Sequence, residues 1–376
     1  MESVKEMKKL LIRIAILLLS ISMVAAFSIG CKTTTATTTA AETTVAATAA
    51  ETTNEKKLVL GNVVVTLENA YHQADTKHFE EDAAKINAET VIIDGKLDTP
   101  TIVDGLDQLI AKKVDAIVIQ CVFGESINEG IKSANAAGIP VLPFFNKPTE
   151  VITPFLAINE AVTSRKMGQI AAKKWKELYP DIPIKVGIIT YAGVPSLING
   201  RAIPFWEGVQ SVDPEAELVS ELDGAGSREK SLGVAQDMLQ AHPEINIFYA
   251  VVSDSALGAL TAFESIGRGK AENGVPLTEI IVGTDAPLSE LVKVYDPNSS
   301  FKITQGLTPK DNAQLKVDTL IRMINGEIGM NEDITIAAHD FEIDYWNSNI
   351  EEIQKWMNEQ YLTDVNIADE IGKANQ

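Results

Sequence analysis

The chain has 376 residues, 45% hydrophobic and 22% charged, with a formal net charge of -20 and a pI of about 4.7. That is enough apolar material for two cores, while the acidity repels phosphate backbones and excludes nucleic acid as a partner. Two cysteines, Cys31 and Cys121, are too few for a disulfide framework or a thiolate zinc cluster.

The first element is a targeting segment. Lys5, Lys8, Lys9 and Arg13 precede or interrupt an apolar stretch over 10–27, and Ser28-Ile29-Gly30 leads into Cys31. Residues 1–30 read as a signal peptide. The run into Cys31 resembles the lipobox of bacterial lipoproteins, with Ser28 where Leu is usual, and the resemblance implies lipidation of Cys31 and an extracytoplasmic, membrane-anchored protein. A plain secretory signal is the alternative. Residues 31–55 are mostly Thr, Ala and Glu, with no apolar period, and read as a disordered tether.

From 58 onward the pattern alternates. Strands are expected at 58–67, 91–94, 116–120 and 139–142, with helices at 78–87, 100–113 and 126–137 between them. The rhythm repeats with helices at 163–178, 202–212, 228–241 and 256–266, and strands at 185–190, 216–222, 247–252 and 279–283. A strand at 301–305, a helix at 309–325, a short strand at 340–343 and an amphipathic helix at 350–361 follow. Strand and helix alternating at this spacing point to an α/β fold of two doubly wound parallel-sheet lobes.

Several motifs then coincide: VDAIVIQ at 114–120, ANAAGIPV at 134–141, AHPEI at 241–245, DSALGAL at 254–260 and VGTD at 282–285. In their order they resemble the type I periplasmic binding proteins, the ribose-binding branch above all. The resemblance covers about 57–343 and implies a three-segment hinge. The N-terminal lobe would be 56–158 plus 307–339, and the C-terminal lobe 159–306 plus 340–376. It further implies a sugar or sugar-like polyol held between the lobes for an ABC-type importer, and so a membrane permease as partner. A sensor or chemoreceptor component is the alternative, and an extracellular carbohydrate-active enzyme a more distant one.

A sugar presents C–H faces that aromatic rings cover and hydroxyls that planar polar groups pair with. On the family's pattern, Asn69, Tyr71 and His72 fill the loop after the first strand. Asn69 would bind hydroxyls and Tyr71 would stack, while His72 replaces a second aromatic. Gln120 ends the third strand. Phe145 and Asn146 stand where the ribose branch has Asp-Arg, which argues against a pentose-type hydroxyl pattern. Arg201 opens a helix from which its fork reaches two ligand oxygens. Ser253, Asp254 and Asp285 end C-terminal-lobe strands, and Gln305 matches a ligand-binding crossing. No cofactor or metal is expected: the four histidines lack ligand spacing, the stretch 224–231 carries Glu229 where a phosphate loop needs Gly, and no nucleophile elbow appears.

Overall fold

Strand β1 (Val59–Val64) is buried along almost its whole length, as a strand covered on both faces must be. In the computed structural model, which describes residues 57–375, it sits inside a parallel sheet with β2 (Glu89–Asp94), β3 (Ala116–Gln120), β4 (Val141–Phe144), β5 (Phe155–Ile158) and β13 (Thr335–Ala338). The order is β13-β5-β4-β3-β1-β2. The second sheet, built from β6 (Lys185–Thr190), β7 (Glu217–Asp223), β8 (Ile247–Ala250), β11 (Ile280–Val282), β12 (Phe301–Leu307) and β14 (Asp340–Asp344), runs β14-β12-β11-β8-β6-β7. Its last strand pairs antiparallel with β12. A two-residue hairpin, β9 (Ala271–Glu272) and β10 (Val275–Pro276), stands apart. Signal peptide, Cys31 and tether lie outside the described residues.

The helices are α1 (Ala70–Lys85), α2 (Thr99–Lys112), α3 (Asn128–Ala136), α4 (Glu160–Leu178), α5 (Ile203–Val212), α6 (Arg228–Ala241), α7 (Ser253–Ser265), α8 (Leu288–Tyr295), α9 (Pro309–Ile324), α10 (Ile350–Tyr361) and α11 (Ile367–Ala374). They cover both faces of each sheet, so each lobe has two apolar cores, one on either side of its strands. Both sheets reverse strand direction of travel at the centre, between β1 and β3 in one and β6 and β8 in the other. Open α/β sheets bind ligands just beyond the strand ends at such points.

Three short crossings connect the sheets. Asn159 separates β5 from α4, Thr308 separates β12 from α9, and His339 separates β13 from β14. The Thr308 hydroxyl donates to the His339 carbonyl at 2.7 Å, which ties two crossings together. Helices α4 and α5 cross at glycines: a Cβ on Gly168 would stand 2.1 Å from the Phe205 carbonyl oxygen, and one on Gly208 2.1 Å from that of Arg165. Only bare backbone permits this approach. About two turns upstream of these glycines stand Glu160 and Arg201, so the crossing fixes their relation.

Local differences from the expected elements are informative. Helix α1 starts at Ala70, not 78, with Asn69 as its N-cap, accepting from the Tyr71 amide at 2.8 Å. The segment 68–72, expected as a loop, is therefore a cap and a first turn. Apolar periodicity missed it because the buried face of α1 includes Asp75, Thr76 and His78. Helix α4 begins three residues earlier than expected, and α7 likewise. Strands β5 and β13 and helices α8 and α11 were not expected from pattern alone.

Candidate functional site

On the first lobe, α1 presents Tyr71 and His72, and β4 delivers Phe145 in a left-handed conformation (φ 73°). The rings cluster: Tyr71 to His72 is 5.1 Å, Tyr71 to Phe145 6.1 Å and His72 to Phe145 5.9 Å between centroids, with Phe145 stacked on Phe144 at 4.0 Å. The Tyr71 hydroxyl accepts from Asn312 Nδ2 at 2.8 Å. Burial, reinforced by Lys316, lowers His72 to about 3, so its ring is neutral.

Beneath the rings Asp75 and Lys316 form an ion pair in which neither side chain is exposed. Burial raises the Asp75 carboxyl and lowers the Lys316 ammonium, and each partner's charge opposes that effect on the other. Lys316 Nζ also lies 4.3 Å from the Phe144 ring centre. Gln120 Nε2 donates to Asp75 at 3.3 Å, while its Oε1 accepts from the Val65 amide at 3.2 Å. Gln120 thus orients the pair. Asn146 donates to the Cys121 carbonyl at 2.9 Å, which makes it a loop staple, and burial pushes the Cys121 thiol up to about 12.

On the second lobe Arg201 sits in a π-turn leading into α5, only 5% exposed. Its Nη1 donates to the Val251 carbonyl at 2.7 Å and to Asp285 at 2.9 Å, and its Nη2 to Glu160. Burial opposes its charge, but Glu160 and Asp285 outweigh that and hold the guanidinium firmly protonated. Asp285 Oδ2 accepts from the Ser253 amide at 3.4 Å, and its carbonyl accepts from Tyr361 at 3.1 Å. Gln305, on β12, donates to Asp340, whose carboxyl is raised by burial and then by Glu160. Glu290 is raised well above the usual range, chiefly by burial, and accepts from Thr304 at 2.5 Å.

The two groups lie within electrostatic reach of one another. The buried Tyr71 hydroxyl is raised by desolvation and Asp75, and it also feels Tyr361 and Glu160 from the second lobe. Among the side chains of these two groups, five buried polar atoms have no hydrogen-bond partner among the described residues: His72 Nδ1, Asp75 Oδ1, Arg201 Nε, Glu290 Oε1 and Gln305 Oε1. Buried groups of this kind ordinarily find partners, so they are candidates for contact with a solute.

Of the residues singled out in the sequence, Tyr71, His72, Phe145 and Gln120 come together on one side, and Arg201, Asp285, Ser253 and Gln305 on the other. Two stand apart. Asn69 is exposed and spent on capping, and Asp254 is exposed and paired with Arg228. Sequence reasoning missed Asp75, Lys316, Glu160, Asn312, Asp340 and Tyr361. Glu160 carried one signal, an acid in a helix's first turn; the others are joined only by folding. Among the described residues no group of acidic, histidine or cysteine side chains could hold a metal, and no helix is long and apolar enough to cross a membrane.

A family model described as "Periplasmic binding protein domain" matches residues 60–328. The chain belongs to the type I periplasmic binding proteins. This binding protein is 26% identical over 257 residues to the ribose import binding protein of Bacillus subtilis (strain 168), covering 67% of its own length and 77% of the relative. With the D-ribose/D-allose-binding protein of Pseudomonas aeruginosa it shares 24% identity over 289 residues, 71% and 86% of the two chains. Its fold matches the arabinose ABC transporter binding component of Shewanella sp. ANA-3, with a TM-score of 0.66, 18% identity and coverage of 82% and 99%. The myo-inositol binding protein of Caulobacter superposes with a TM-score of 0.63, 16% identity and coverage of 77% and 93%.

Proposed function

We propose that this binding protein captures a neutral, hydroxyl-rich solute, a sugar or sugar-like polyol, between its two lobes and delivers it to an ABC-type membrane permease. The observation that carries this is the convergence of the Tyr71–His72–Phe145 rings with the Glu160–Arg201–Asp285 cluster at strand ends of two sheets. Rings cover C–H faces, and the free Arg201 Nε and Asp75 Oδ1 offer a donor and an acceptor to hydroxyls. Both cations are already paired, Lys316 with Asp75 and Arg201 with two carboxylates. Neither has a free fork for a carboxylate or phosphate, so anionic sugars are disfavoured. The relatives named for ribose and allose, and the fold neighbours with arabinose and myo-inositol, support the ligand class.

The protein acts by binding, without turnover. Outside the cytoplasm, lipid on Cys31 would hold it to the membrane through the tether at 31–55. Mass spectrometry of the membrane-extracted protein tests this: an acylated Cys31 supports it, and a free amino terminus elsewhere overturns it.

The central test is a thermal-shift and calorimetric panel of neutral sugars, polyols and their acidic or phosphorylated counterparts. Stoichiometric binding of neutral members without product formation is expected. Arg201→Ala should abolish it. Failure of every neutral compound to bind, or conversion of one to product, would overturn the reading.

A further inference from the structure

Helix α10 belongs by packing to the second lobe. Ile353 and Met357 are buried in its core, and Trp356 meets Phe341 edge-on at 5.2 Å. Its last turn reaches elsewhere. Gln360, only 5% exposed, accepts from the Lys310 amide at 3.0 Å through Oε1 and donates to Asp311 at 3.4 Å through Nε2. Its backbone carbonyl lies 3.0 Å from His78 Nε2, which must carry the proton, since a carbonyl only accepts. Lys310 and Asp311 open α9, and His78 lies on α1 two turns below Tyr71, so all three partners belong to the first lobe.

The next residue turns the other way. Tyr361 donates to the Asp285 carbonyl at 3.1 Å. Asp285 and Ala286 both have positive φ, 78° and 45°, a conformation that costs non-glycine residues energy and persists only where surroundings hold it. The Tyr361 hydroxyl is one such restraint on the backbone of Asp285, the residue whose carboxylate grips Arg201. A single turn therefore supports the wall of the site in one lobe and is fastened to two helices of the other. It lies beyond the stretch 60–328 that the family model matches.

We infer that the Gln360–Tyr361 turn is an affinity-determining part of the ligand site: Tyr361 positions Asp285, and Gln360 holds the lobes at the angle where Asp285 and Tyr71 address one solute. This rests on the binding function proposed above. Both are positioning residues, since neither needs to touch the ligand.

The test uses the whole protein and a panel of neutral sugars and polyols including D-ribose, D-allose and myo-inositol, followed by calorimetry and stopped-flow dissociation with the tightest of them. Gln360→Ala and Tyr361→Phe are expected to weaken binding about tenfold or more, mainly through faster dissociation. Met357→Ala is the control, since its side chain packs in the core of its own lobe and takes no part in the Gln360 hydrogen bonds to the other. It should lower the melting temperature yet keep Kd within about twofold. Wild-type Kd in Gln360→Ala and Tyr361→Phe, or a loss no greater than that of Met357→Ala, overturns the inference and leaves the binding function standing. If the wild-type protein binds none of the panel, the binding function falls and this inference with it.

Discussion

Lys302 is fully buried near the start of β12, donating to the carbonyls of Asp296 at 2.7 Å and Val294 at 3.4 Å and lying 3.9 Å from the Tyr345 ring centre. Burial lowers it to about 7, with Asp296 opposing. A lysine that loses its proton more easily when folded makes stability rise with pH between about 7 and its ordinary value near 10.5, at up to about 1.4 kcal/mol per unit. Below pH 7 both states are protonated and the desolvation cost is carried in full. Urea denaturation at pH 7 and pH 9 should show a gain of about 1–3 kcal/mol in the wild type relative to Lys302→Met; parallel behaviour of the two would contradict it. The Asp75–Lys316 pair behaves differently. Lys316→Met strands a buried carboxylate and should cost about 3–5 kcal/mol, while Asp75→Leu with Lys316→Met should recover most of that loss. Denaturant midpoints of the two single variants and the double variant measure the cycle.

At the scale of elements, the crossing of α4 on α5 brings Glu160 to Arg201. Gly208→Ala would drive a methyl into the Arg165 carbonyl and should destabilise by about 1–3 kcal/mol. Because the helices must part, the Glu160–Arg201 pair should loosen too, and ligand affinity should fall together with the melting temperature. Gly233→Ala on α6 is the counterpart: its Cβ would meet nothing within 4 Å, and helix propensity favours it by about 0.5–1 kcal/mol. A Gly208→Ala protein with wild-type stability would mean the helices separate freely, contrary to the packing described. Most elements were legible in the sequence, because apolar runs such as 116–120 and 247–250 leave few other readings. Helix α1 was half legible. Its inward face carries Asp75 and His78, whose partners Lys316 and Gln360 lie far along the chain, so a periodicity count sees polar residues where the fold has a buried face.

For the molecule as a whole, two lobes joined by three short crossings make ligand binding a question of relative lobe position. A solute that bridges them stabilises the closed pair, by about 2.7 kcal/mol at a concentration 100 times Kd. Solution scattering should show compaction on adding such a ligand, and an unchanged radius of gyration would count against bridging. The strong overall acidity bears on ligand charge. A neutral solute should bind with Kd within about twofold at low and high salt, since screening acts only on charged partners. A steep salt dependence measured by calorimetry would point to a charged ligand.

By itself the sequence determined the two α/β lobes and the family, and it singled out Asp285 and Phe145 just past strands, Tyr71 after the first strand and Arg201 at a helix start, because these depend on local period and short motifs. Only tertiary structure decided which charges pair. Arg201 meets Glu160 across a glycine-lined helix crossing, Asp75 meets Lys316 from the other end of the lobe, and Tyr361 reaches Asp285 from the last turn of α10. The reason is range: apolar burial is written residue by residue along the chain, whereas a buried charge is tolerated only through a partner, and that partner can come from any distance in sequence.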